Sequence, residues 1–216
     1  MRKVLILLGF FLLCISFYFS MKSDTLPVFL MTDEPNVVSK GNYGLVFVAE
    51  VSFTHDGFEE WIPSSSSSST LFLLHPDYIE RSEKVIASLK KNGRVTSLLG
   101  RSLEEYENID ILKKDIKIYE QHFGSKPLWF MTRDYMYNEE IKQYLFSQQI
   151  NMLSPSTQLN VNELPASLPE GSIVSLPLHK QSAVNFESIT TFLTQHQFIS
   201  IEESLFGYSL KSKRFP

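Results

Sequence analysis

From Tyr43 onward the chain repeats one pattern: a short run of β-branched and aromatic residues, then an amphipathic stretch closed by Gly or Asn, at intervals of roughly 25 to 30 residues. Strands separated by helix-length connections do not form tight hairpins; they pair in parallel through crossover helices. Strands are predicted over residues 43–53, 70–74, 94–99, 128–131, 150–153 and 172–176, with a short terminal strand after them. Between them the spacing predicts a single turn over 58–62 closed by Pro63, a helix over 76–92 stopped at Asn92-Gly93, and a helix over 182–197. Ser102-x-x-Glu105 reads as a capping box opening a long helix to Phe123, closed by Gly124, and Asn138 caps a helix over 139–148. The six-serine run 64–69 reads as a loop, because an apolar strand resumes at once. The longest loop is 154–171.

This order predicts an α/β fold, with an irregular parallel (β/α) barrel as first choice and an open doubly wound sheet as the alternative. No Gly-rich phosphate turn follows any strand, since Lys40-Gly41-Asn42-Tyr43-Gly44 precedes one, so no nucleotide cofactor is expected. With 17 Phe, 9 Tyr and 2 Trp in 216 residues there is material for a sizeable core. A net charge of −4 without a basic run argues against nucleic acid as a partner.

Arg2 and Lys3 precede an uncharged run over 4–20, at the short limit of what spans a bilayer. It reads as a signal anchor or a signal peptide over 1–24. Bulky Phe17-Tyr18-Phe19 occupies the place where cleavage needs small residues, which favours an uncleaved transmembrane helix. Positive charge held inside puts the rest outside the cytoplasm, at the cell membrane, or secreted if cleavage occurs. Residues 25–42 are then a linker and 43–216 the barrel domain. Cys14, the single cysteine, lies inside the apolar run and excludes an internal disulfide.

Parallel barrels carry their chemistry at the C-terminal ends of strands. After the first strand stand His55-Asp56-Gly57, after the second His75, and after the late strand 172–176 comes His179. A His with an Asp serves as a general base pair, as metal ligands or as an ion pair; each His also has a plain reading as a packed or turn residue.

From Ser52 onward these segments resemble the polysaccharide deacetylases, the NodB homology family. Ser52-Phe53-Thr54-His55-Asp56-Gly57 is similar to its Thr-Phe-Asp-Asp-Gly strand end, and Thr70-Leu71-Phe72-Leu73-Leu74 to its Ala-Thr-Phe-Phe-Val strand. Leu128-Trp129-Phe130 with Tyr137-Asn138 resembles the Phe-Arg-Pro-Pro-Tyr-Gly-x-Tyr-Asn segment. Residues 171–179 resemble the Gly-x-Ile-Ile-Leu-Leu-His strand, and 199–205 the closing Val-x-Leu-x-Glu-Leu-Leu. The resemblance spans about residues 43–207. It implies an irregular barrel acting on acetylated glycans, with a metal held by an Asp and a His-x-x-x-His pair, a second Asp as base and a late His as acid.

Carried over residue by residue, the resemblance leaves Asp56 and His179 in catalytic roles and places Leu98 and Ser102 where the two metal histidines stand. Leucine does not ligate a cation, so no metal and no other cofactor is expected. Met131-Thr132-Arg133-Asp134-Tyr135 replaces the Arg-Pro-Pro-Tyr-Gly loop, making Arg133 and Asp134, with His55 and His75, candidate binding residues. Two functions follow. One is a membrane-tethered pseudoenzyme binding a cell-envelope glycan or an envelope protein. The other is an active deacetylase or hydrolase of envelope carbohydrate using His179 and Asp56.

Overall fold

The computed structural model describes residues 33–64, 66 and 68–207. The apolar run 4–20, Cys14 and the anchor assigned to 1–24 lie outside the described residues. Among the described residues no helix is long and apolar enough to cross a membrane.

One nine-stranded sheet runs in the order β1-β6-β5-β4-β3-β2-β8-β7, with β9 also pairing β2. Its strands are β1 (Val37–Val38), β2 (Leu45–Val51), β3 (Leu71–Leu74), β4 (Val95–Leu99), β5 (Trp129–Met131), β6 (Asn151–Leu153), β7 (Thr157–Gln158), β8 (Ile173–Pro177) and β9 (Phe198–Ile199). Every ladder between these strands is parallel. The sheet curls into a half-barrel with helices packed around it rather than lying as an open doubly wound sheet.

The helices are α1 (Phe58–Trp61), α2 (Pro76–Arg81), α3 (Glu83–Lys91), α4 (Ile109–Phe123), α5 (Glu139–Ser147), α6 (Phe186–His196) and α7 (Ile201–Phe206). Strand alternation sorts the core into two layers. Phe47, Ala49, Val51, Phe72, Leu74, Leu98, Phe130 and Val174 pack outward against helix residues such as Leu112, Ile116 and Ile189. Val46, Val48, Leu71, Leu73, Leu99, Trp129, Met131 and Ile173 pack inside the curl. Each such side chain contributes about 1.5–3 kcal/mol by leaving water. Strand β2 is buried along its whole length, as a central parallel strand with both faces covered must be.

Helix α7 closes the N-terminal end of the curl. Its Ile201 and Leu205 join the inner layer. The backbone N–H groups of Asn42 and Tyr43 donate to the Ser204 carbonyl, at 2.9 and 3.0 Å. Gly41 is needed there: a Cβ on it would lie 1.9 Å from Ser204 Oγ.

Five expectations change, the first being that the loop read over 154–171 contains β7, which pairs in parallel with β8. The helix over 76–92 breaks at Ser82, whose φ of −118° and ψ of 48° are not helical, into α2 and α3. The Ser102–Glu105 capping box forms, but it closes a 3-10 turn over Leu103–Glu105; the long helix α4 starts later, capped by Asn108. The closing segment 199–205 is mostly helix α7, capped by Ser200 and ended by Gly207, leaving β9 as two residues. Val37–Val38, inside the span read as linker 25–42, pairs with Met152 and Leu153, so the sheet begins before residue 43.

Candidate functional site

Parallel pairing brings the C-terminal ends of β2, β3, β4, β5 and β8 to one rim. The alternation that puts Val46, Leu71, Leu99, Met131 and Ile173 inside puts Glu50, His75, Arg101, Arg133 and Ser175 on the same inward-facing parity. The mouth of the curl is therefore polar above an apolar floor.

Glu50 lies at its base, fully buried on β2. The Tyr135 hydroxyl, from the β5–α5 loop, donates to Oε1 at 2.7 Å. That bond crosses the curl, because β5 stands three places from β2 in the sheet. Tyr135 reaches it from a left-handed backbone, φ 63°, a conformation that costs a non-glycine residue roughly 1 kcal/mol or more. Burial raises the Glu50 carboxyl above its ordinary value, only partly offset by Tyr135, Ser175 and the Lys180 charge. Ser175, buried on the neighbouring strand, is close enough to lower both the Glu50 carboxyl and the Tyr135 hydroxyl by hydrogen bonding, although the contact of its Oγ with Glu50 Oε2 falls short of good hydrogen-bond geometry. Lys180 Nζ lies 4.9 Å from the centre of the Tyr135 ring.

Two histidines flank this base. His75 follows β3 and caps α2 with Pro76 behind it; only 4% of it is exposed, and its Nε2 has no partner. Burial first, then the charges of Arg133 and Arg101, pull it down to about 4 against the opposing pull of Asp77 and Glu105. His179 sits in the 3-10 turn Leu178–Lys180 after β8, with a buried, unpartnered Nδ1. Burial, then Lys180 and Arg133, lower it to about 4 as well. Arg133 thus acts on both imidazoles, and both are neutral at pH 7.

The charged groups at the rim are matched to one another. Arg133 Nη2 is 2.5 Å from Glu105 Oε2. Burial alone would raise Glu105, but the Ser102 hydroxyl and backbone N–H and the Arg133 guanidinium bring it to about 2. Arg101 spans Asp77 at 2.7 Å and the fully buried Asp115 of α4 at 3.0 Å, and Asp115 also accepts from the Tyr106 hydroxyl at 3.1 Å.

The sequence candidates separate. His75, His179 and Arg133 follow strands that end at the same rim, close enough for the Arg133 charge to act on both imidazoles. His55 lies behind it, its Nε2–H donating to the Leu178 carbonyl at 3.0 Å, so it braces the turn that carries His179. Asp56 is exposed in a recess of about 240 Å³ lined by residues 54–60, and no hydrogen bond or ion pair joins it to His179. Asp134 is exposed and holds the loop, accepting from the backbone N–H of Leu103 at 2.9 Å and of Met136 at 3.2 Å. Sequence reasoning missed Glu50, Tyr135, Ser175, Arg101 and Lys180. A signal existed for Glu50: it is the one charge in the strand LVFVAEV.

The side chains present do not fit a divalent ion. Among the described residues no three of His, Cys, Asp or Glu are grouped to hold one. The Arg133 charge acts on both imidazoles, which disfavours a further cation beside them. Leu98 is not at the mouth at all, since it packs outward in the helix layer, and Ser102 is bonded to Glu105.

No protein-family model matches the chain, and no curated protein matches it in sequence. Solved structures do match. A family 4 carbohydrate esterase from Bacillus anthracis superposes with a TM-score of 0.60 at 13% identity, over 77% of this chain and 86% of that one. The chain has the polysaccharide deacetylase fold. A family 4 pseudoenzyme from Bacillus anthracis shares the deacetylase fold at TM-score 0.61 and 12% identity, over 79% of this chain and 69% of that one. A chitin deacetylase from Colletotrichum lindemuthianum does so at TM-score 0.62 and 11% identity, over 81% and 93%.

Proposed function

We propose that this chain is a metal-independent carbohydrate-binding pseudoenzyme on the deacetylase fold, tethered outside the cytoplasm by its N-terminal segment. The observation that carries the reading is the mouth itself: two neutral imidazoles feel the Arg133 charge, and among the described residues no three metal-ligating side chains are grouped there, so the rim is polar and not suited to a dication. Fold-level likeness to a carbohydrate esterase pseudoenzyme supports it, as does the chitin deacetylase for the ligand class. The alternative, hydrolysis by His179 with Asp56, has less behind it because the two side chains share no contact.

The test is calorimetric titration of the purified protein with N-acetylglucosamine oligomers, alongside acetate release with and without added zinc. Binding without acetate release is expected. Zinc-stimulated release would overturn the pseudoenzyme reading. For the tether, protease added to intact cells should degrade the domain; a protected domain would place it inside.

A further inference from the structure

On the flank where β7 pairs with β8 lies a recess of about 370 Å³, its polar lining drawn from Gln158, Asn160, Asn162, Lys180, Gln181 and Ser182. Gln181 braces its walls. Its Oε1 accepts from the backbone N–H of Val161 at 3.1 Å, and its Nε2 donates to the carbonyls of Leu159 at 3.2 Å and Pro177 at 3.3 Å. Two further amides are oriented by groups that only donate. Gln158 Oε1 accepts from Lys180 Nζ at 3.3 Å, and Asn160 Oδ1 accepts from the backbone N–H of Asn162 at 3.1 Å. An ammonium and a backbone N–H cannot accept, so the oxygen ends of both amides are fixed and their NH2 ends are left over. Among the described residues nothing accepts from Gln158 Nε2 or Asn160 Nδ2, and both side chains are exposed. Exposed Lys180 makes no ion pair among the described residues, and no Asp or Glu lines the recess. The carboxyl that does feel its charge is Glu50, which burial holds toward the neutral form.

The acceptors of these amides are thus engaged within the protein, while their donors and the ammonium are open to a ligand. We propose that the recess binds the carboxylate of an acidic sugar unit, met by Lys180 Nζ and by the amide N–H groups of Gln158 and Asn160. The inference rests on the carbohydrate-binding reading and adds a charged unit to its ligand class. A carboxylate only accepts, at about four lone-pair positions, so it complements a wall of donors. A hydroxyl must also give a proton, and the Gln158 and Asn160 oxygens are already taken. An ammonium-bearing unit is repelled by Lys180 and finds no carboxylate on the lining. Asn162 and Ser182, whose side chains both donate and accept, suit the hydroxyls of the same ring. An exposed ion pair alone gives little, and here two amide donors act beside it. Lys180 directly follows His179, so the recess adjoins the rim assigned to carbohydrate, which favours a sugar over a peptide end as bearer of the carboxylate.

The test uses the full chain in calorimetric titrations at pH 7 and low salt, with tetragalacturonate, its fully methyl-esterified form, the N-acetylglucosamine tetramer and N-acetyl-trialanine. The acid should bind at least about five-fold more tightly than its ester, and salt at about 0.5 M should remove most of that difference. Asn160→Asp keeps an oxygen for the Asn162 N–H and turns the donor end into an anion, so it should abolish the preference with a nearly unchanged melting temperature. Lys180→Met keeps an apolar stem beside Tyr135 and should do the same; if one variant fails to fold, the other carries the test. An ester that binds as tightly as the acid, or an acid preference that the variants retain, overturns the inference. So does binding of N-acetyl-trialanine in place of the sugar acid with loss in both variants, which would give the recess to peptide ends. The N-acetylglucosamine tetramer separates the two failures. If it binds and tetragalacturonate does not, this inference falls alone; if neither binds, the carbohydrate reading falls with it.

Discussion

Glu50 and His75 are buried ionisable groups on adjacent strands, and burial moves them in opposite directions, each toward neutrality. For Glu50 the folded value lies above the unfolded one. Its contribution to stability is therefore present at low pH and lost as pH rises through the folded value. Glu50→Gln removes that titration yet keeps an acceptor for Tyr135, so it should leave the melting temperature nearly unchanged near pH 4.5 and raise it at pH 8. A variant that melts lower at both would show that the ionised carboxylate itself is favoured. For His75 the sign reverses. Its folded value of about 4 lies below the ordinary 6.5, so its contribution is complete above 6.5 and is lost as pH falls towards 4. The shift corresponds to about 3 kcal/mol at about 1.4 kcal/mol per pH unit. His75→Gln should flatten the acid limb of a melting-temperature profile between those limits, and an unchanged limb would place the acid-sensitive group elsewhere.

At the scale of elements, Arg101 joins the end of β4 to α2 and α4 through Asp77 and Asp115. Removing it strands a carboxylate that is fully buried. Arg101→Met should cost about 3–5 kcal/mol in urea unfolding, and adding Asp115→Leu should recover most of the loss. A small cost for the single change would mean that Tyr106 alone satisfies Asp115. The central strands were legible because Thr70–Leu74 and its like are apolar, β-branched or aromatic runs too short for helices. The α2–α3 break was not, because Ser82 is compatible with a helix and only packing bends the chain there. The capping box misled for a related reason: Ser102 and Glu105 make the predicted reciprocal bonds, but that local signal sets a turn's start and not its length. At the mouth, strand-end histidines were visible in sequence. The Tyr135–Glu50 bond was not, since it joins residues 85 apart through the curl of the sheet.

For the molecule as a whole, the parallel sheet is completed by segments remote in sequence, β1 at one edge and β7 at the other. A chain begun at residue 33 should melt like the intact domain, whereas one begun at residue 44 loses β1 and the Gly41 and Asn42 bonds to Gly171 and Ser204 and should melt lower. Equal melting of the two would show that β1 adds nothing to the fold. The plug formed by α7 has a further result. Because Ile201 and Leu205 pack into the inner layer, apolar side chains close the curl at its N-terminal end. Gly207 lies against Tyr43 on the stopped side, and β1, running parallel to its neighbours, starts there too. A reporter joined after Gly207 or ahead of residue 33 is thus attached at the end of the sheet away from His75 and His179, which makes those the junctions of choice for immobilising the protein with that rim turned outward.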